Sequence, residues 1–465
     1  MVQSGVYIGA TIGDVFAWTT SFLSLLLVLG VAAIAAAGVR PKHHASALNQ
    51  QLCLLALMIV STFLVGWWVR QLFVGGPGIT GGAGSGLSDA FPWSDRMGPG
   101  LGADGAVSPT PGWLRHATAC WLVAALVGLA AAERLRTSAL LLLAMLAGSL
   151  CSSIAAAWMW SAESWLVRLV GFHDAFGAAS VHAVAGGFAL GVLQVLGPRT
   201  AATAGPGVVR LACAKPWLST LGLLFLIGGL AAFAAATLAP LAAPGSAALV
   251  MAGVYGTPAP LFGVAGNLSL AVASGILVGH ILGDGEPART LAGGVAGLVA
   301  VFAGADLYHP LQSFLLAAVV SWLSLRFGDR VRDRHGIDDA AGIVSIHGFA
   351  AAAGLLAAGF LLWTVPSSGT PGAAAVNPFG NTVGAAFGFI LFGQLPGYAA
   401  ARFLNYLGIL RIRSSIELAG GDLMMEVRAA DLSERSLDRE RAFIRERTPQ
   451  AEVGVVLQTN RRSVL

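Results

Sequence analysis

The chain has 465 residues, 56% of them apolar and only 11% charged, with a formal net charge of +4 and a mean hydropathy of +0.75. A soluble chain of average composition carries about 25% charged residues, so this one is not a water-soluble globule. At about 20 apolar residues per spanning helix, the length accommodates about ten to twelve spans and leaves no room for a large soluble catalytic domain.

Apolar runs of spanning length fall at about 15–38, 50–75, 116–132, 138–160, 172–197, 216–240, 258–282, 289–304, 309–326, 340–364 and 381–403, which predicts eleven helices. Sixty-one glycines and abundant alanines suit helices packed backbone to backbone, not a membrane β-barrel. The start of the chain lacks a basic stretch and a small-residue cleavage site ahead of the first run, so no cleaved signal peptide is expected. From about 76 to 114 the chain is rich in Gly and Pro and reads as a loop. Residues 1–403 read as the membrane unit and 404–465 as a charged tail, in which SERSLDRERAFIRERTPQ has the pattern of a solvated helix.

An odd number of spans puts the two ends on opposite sides, and Lys/Arg counts choose between them. With the C-terminus inside, Arg40, Lys42, Arg134, Arg136, Arg199, Arg210, Lys215, Arg289, Arg326, Arg330, Arg332 and Arg334 are cytoplasmic. Only Arg70, Arg96, Arg115 and Arg168 remain outside. The expected orientation is N-out, C-in, and the basic surplus then belongs to the membrane topology, with no call for a nucleic-acid partner. Cys53, Cys120, Cys151 and Cys213 are far apart, form no CxxC pair and have no His at ligand spacing, so four structural thiols and no metal are expected.

Two segments repeat. DAFGAASVHAVA from Asp174 and DAAGIVSIHGFA from Asp339 share Asp, Ala, Gly, Ser, His and Ala at equal offsets, in the fifth and tenth runs. Five spans apart, they cross the bilayer in opposite senses, which predicts an inverted repeat with a site near the midplane. Each His follows its Asp by eight residues, a rise of about 12 Å in a core about 30 Å thick. His182 and His347 are thus expected to meet at similar depth, sharing a hydrogen bond between ring nitrogens. Ionisable groups inside spans are costly and mark transport paths. Asp174 and Asp339 stand where a carboxylate caps a helix start, and Asp174 would also favour a cation at the outer mouth.

These motifs, together with AERLRTSA at Ala132–Ala139 and RPKH at 40–43, resemble the ammonium transporter (Amt/Mep/Rh) family across residues 14 to about 425. The resemblance implies an all-α integral membrane fold of eleven helices with an inverted five-helix repeat, N-out and C-in, assembled as a homotrimer. It implies transport of ammonium or ammonia, with methylammonium as analogue, in the cell membrane, without enzyme activity or cofactor. By position it makes Trp160 and Thr237 ammonium-recruiting residues, Phe233 a gate, and His182 and His347 the pore lining. Cation–π attraction over a Trp, about 0.5–2 kcal/mol, replaces part of the ion's hydration. The other gate phenylalanine of the family falls on Ala119, beside Trp121, so that gate is missing or rebuilt. Arg413, Ser414 and Ser415 stand where relatives carry acidic residues, and PII-type proteins dock on the cytoplasmic face of many bacterial members. The alternatives are an electroneutral ammonia or carbon dioxide facilitator and an ammonium sensor signalling through the tail. An ion-coupled symporter fits least, because carboxylates within the spans are scarce.

Overall fold

The computed structural model describes residues 15–78, 87–98, 110–200, 215–241, 250–339, 341–423 and 425. Cys213, about half of the Gly/Pro-rich loop and the charged segment from 426 onward lie outside them.

The described chain is mostly helical. Ten helices are long and apolar enough to cross a membrane: α1 Val15–Gly38, α2 Pro41–Phe73, α3 Gly112–Ala130, α4 Thr137–Met159, α5 Ala178–Leu196, α6 Pro216–Ala236, α7 Leu261–Leu282, α9 Pro310–His335, α10 Val344–Leu361 and α11 Pro378–Tyr406. Between α7 and α9 lies a shorter apolar helix, α8, Pro287–Val301. This makes the chain a multi-pass membrane protein. Prolines occupy the first turn of α6, α8 and α9, where a missing N–H costs no hydrogen bond. α9 ends on Gly336 in the left-handed region after Arg332, Arg334 and His335, cations placed at the favourable end of the helix dipole.

Two helix starts differ most from the hydropathy reading, and α9 runs on past 326 to His335. α2 starts at Pro41 and not near 50, because its polar first turns are buried through His43 and Gln51. α5 starts at Ala178 and not near 172, because the Asp174 carboxylate takes the N–H groups of Ala178 and Ala179, both at 2.7 Å, and fixes the helix start there.

α5 and α10 open alike. Asp339 accepts from the Val344 N–H at 2.7 Å, and the first turns of both helices, Ala178–Ala183 and Val344–Phe349, are widened to π geometry. The helices cross at Gly186 and Gly348. A Cβ on Gly186 would fall 2.2 Å from the Gly348 Cα, so neither backbone has room for a side chain.

One face of the bundle is sealed by ion pairs. Arg134 is fully buried in the turn between α3 and α4 and donates to the carbonyls of Ala130, Gly197 and Asp338, each at 2.8 Å. Arg199 grips the Asp338 carboxylate through Nε at 2.8 Å and Nη2 at 2.9 Å. After α11 the chain folds back: Arg136 N–H donates to Leu410 and Ile412 N–H to Arg134, and a short helix, α12 Ser414–Ala419, follows. Its Glu417 is fully buried, accepting from Thr200 N–H at 2.6 Å and from Arg411 at 2.9 Å. Arg40, which pairs with Glu133 at 2.7 Å, also donates to the Glu417 carbonyl. Asp422 caps the start of α2 through Ala45 and Ser46 N–H. Burial alone would raise the Glu417 carboxyl; the Thr200 N–H and Arg411 outweigh it and hold the group below its ordinary value. Asp338 is held low in the same way by Arg199 and Arg134. Burial lowers Arg134 to about 10, against the attraction of Asp338.

Candidate functional site

His182 and His347 meet at the centre of the bundle. Their Nδ1 atoms are 3.0 Å apart and their rings nearly parallel, with centroids 5.0 Å apart at 16°. Both are buried. His182 Nε2 has no hydrogen-bond partner among the described residues. Phe302 lies 5.5 Å from the His182 ring and meets Phe176 edge-on at 5.9 Å. The rings around the pair are apolar.

The end of the bundle opposite the ion-paired face holds the aromatic and hydroxyl residues singled out from the sequence. Trp160 closes α4 and Thr237 closes α6. The Trp160 ring is 5.9 Å from Phe233, and its Nε1 donates to the Ala175 carbonyl at 3.3 Å. Thr237 donates its hydroxyl proton to the Ala234 carbonyl at 2.7 Å, so the oxygen can only accept from anything beside it. Trp160 and Thr237 line one cavity of about 270 Å³; Phe233 and Asp174 do not. Asp174 is fully buried, and its carboxylate is turned to the α5 N-terminus. Tyr255 ties this region together, donating to the Met159 carbonyl at 2.8 Å while accepting from Asp174 N–H at 3.1 Å.

The same cavity has residues that the sequence reading did not place in it: Trp67, Arg70, Arg115 and His116. Ala119 is buried one turn further along α3. The Trp67 ring, which lines the cavity, is 6.0 Å from His116. His116 Nε2 is 2.9 Å from Ser153 Oγ. Nearby, His173 and Asp306 form a buried pair at 3.1 Å. Trp67 and Arg70 near the end of α2 meet Arg115 and His116 near the start of α3 only through the packing of the two helices, which no local sequence signal marks.

Together these features define a polytopic membrane protein with a buried imidazole pair at its centre and an aromatic, hydroxyl-bearing cavity at one end. The chain matches the Ammonium Transporter Family over residues 15–428 and belongs to it. Ammonium transporter Amt2 of Methanocaldococcus jannaschii is 27% identical over 373 residues, covering 76% of this chain and 78% of that protein. Ammonium transporter Amt2 of Haloferax mediterranei is 28% identical over 349 residues, covering 74% and 73%. A solved structure described as Sensor Amt Protein is similar with a TM-score of 0.72 at 19% identity, covering 89% of this chain and 98% of that one. Nitrosomonas europaea Rh50 is similar with a TM-score of 0.61 at 17% identity, covering 92% and 98%. At these identities the structural likeness establishes the fold.

Proposed function

We propose that this protein transports ammonium across the cell membrane by way of ammonia, with methylammonium as a second substrate. Membership of the Ammonium Transporter Family and relatives named as ammonium transporters support the substrate. The observation that carries the mechanism is the His182–His347 contact of 3.0 Å in an apolar centre, with one ring nitrogen unpartnered among the described residues.

In this reading α8 is the eighth of eleven spans, α1–α5 and α6–α10 are inverted repeats, and the Trp160 end is outside. Residues 1–403 form the transport unit and 404–465 the cytoplasmic tail. The assembly is a homotrimer, and a PII-type protein is the partner expected at the cytoplasmic face. Ammonium reaches the cavity of Trp160 and Thr237, whose oxygen accepts an N–H while the indole face attracts the charge. The proton leaves the nitrogen there, with Asp174 contributing negative potential from the start of α5, and crosses by a separate route, so that one charge moves with each ammonia. Ammonia passes Phe233 and moves along the two imidazoles, whose nitrogens accept and donate hydrogen bonds without becoming charged. It is reprotonated at the far end. Na⁺ and K⁺ are refused because the passage has too few oxygens to replace their water.

The test is the transient current evoked by an ammonium pulse in proteoliposomes. Wild type should give a saturable inward current, lost or stripped of ammonium selectivity in folded His182→Ala. A histidine variant indistinguishable from wild type would sink the pore assignment. Arg70 and Arg115 at the mouth favour one second reading, electroneutral passage of ammonia alone, which predicts ammonia flux with no current.

A further inference from the structure

The mouth is built for a cation by its aromatic and hydroxyl groups, yet two guanidiniums line it. Arg70 spends one N–H on the Trp160 carbonyl at 3.2 Å and lies 5.7 Å from the Trp67 ring centroid. Arg115 spends one on the Ala236 carbonyl at 3.1 Å. A guanidinium has five N–H groups and does not give up its charge. Among the described residues no carboxylate lies within 4.0 Å of either arginine, although the same criterion pairs Arg40, Arg134, Arg199 and Arg411 with acids. Both arginines are half-buried, next to buried Trp67, His116 and Trp160. Two unneutralised cations against apolar surface are expensive to hold together, and they repel the ion this mouth would collect.

We propose that the cavity of Arg70, Arg115, Trp67, Trp160 and Thr237 is a binding site for a small free oxyanion, of the size and charge of bicarbonate or phosphate. Two guanidinium forks facing one cavity match an oxyanion's lone pairs in pairs, which a halide cannot do. A cavity of about 270 Å³ holds such an ion with room for an ammonium beside it. Once seated, the anion turns the mouth from repelling to accepting a cation. Ammonium then enters next to its counter-ion, with Thr237 on its other side. This consequence rests on the transport reading above; the anion site does not.

The test uses the full chain in nanodiscs. Inorganic phosphate and bicarbonate, each titrated against gluconate at constant ionic strength, should give saturable thermal stabilisation, with chloride at least tenfold weaker. Arg70→Gln/Arg115→Gln should lose the effect. Should that variant fail to fold, competition of cold bicarbonate with radiolabelled phosphate on wild type decides instead. No saturable stabilisation and no competition would overturn the site. So would native mass spectrometry finding a phospholipid held in wild type and absent from the arginine variant, because the charge would then belong to a lipid headgroup. In proteoliposomes the half-saturating ammonium concentration should fall severalfold when external gluconate is replaced by the binding anion. Anion binding with no ammonium flux under any condition would leave the site standing and remove the transport reading. Flux indifferent to the anion would remove the coupling.

Discussion

The two ends of this bundle use arginine in opposite ways. On the tail side Arg40, Arg134, Arg199 and Arg411 each have an acid partner, and between them they lock the turns after α1, α3 and α5 to the start of the tail. At the mouth Arg70 and Arg115 each make one hydrogen bond to a backbone carbonyl and meet no carboxylate among the described residues. A guanidinium that completes a structure is held by an acid and by carbonyls of the protein, as Arg134 is by Asp338 and three carbonyls. One that is left with most of its donors free is available to something that comes and goes.

The sharpest way to break this contrast is to delete one arginine from each end. Arg134→Ala leaves three carbonyls without their donor in a buried turn, although Asp338 keeps Arg199, and should cost about 3–5 kcal/mol, read as a large fall in melting temperature in detergent. Arg115→Leu removes an unpaired charge against apolar surface and should leave stability unchanged or raised. Equal losses would mean that the mouth arginines are structural after all.

Glu417→Gln comes next. It weakens hydrogen bonds from Thr200 and Arg411 and should cost about 1.5–3 kcal/mol, the range for hydrogen bonds to charged groups. Hydrogen exchange at residues 411–422 should rise while α5 stays protected. The pH response sharpens the same point. Glu417 and Asp338 are held below ordinary carboxylate values, so their stabilisation is fully present above about pH 4 and is lost only as pH falls through the lowered values. Protease cleavage of the tail onset should stay slow from neutral pH down to that range and quicken below it; quickening already near pH 6 would contradict it. The smallest effect belongs to Thr237→Val, which keeps the shape and removes the accepting oxygen. Half-saturating ammonium should rise severalfold with little change in maximal flux.

Much of this was legible beforehand. Spans are long and apolar, so ten of the eleven runs reappear as helices long enough to cross, and the repeat of Asp, Gly and His at equal spacing was enough to bring His182 and His347 face to face. The starts of α2 and α5 were misjudged for a reason of principle. Polarity marks what leaves the hydrocarbon, whereas the helix boundary was set by capping at Asp174 and by polar side chains buried among other protein groups at His43 and Gln51. Arg70 and Arg115 had been counted only as charges on one side of the membrane. What distinguishes them is the lack of an acid nearby, a property of three-dimensional neighbourhood that no local pattern carries. Glu417 carries no local signature beside Arg413, Ser414 and Ser415, because its burial depends on Thr200 and Arg40, far away in sequence.

Glu417 and Asp422 also fix where the transport unit stops in practice. The last span ends at Tyr406, but a chain cut there would leave Arg40 without one of its partners, Thr200 N–H without its acceptor and the first turn of α2 without its Asp422 cap. A cut just after 423 keeps all of these. The shortest chain that behaves as a finished bundle therefore runs about seventeen residues past the last spanning helix, a length set by where hydrogen bonds close and not by where hydropathy falls.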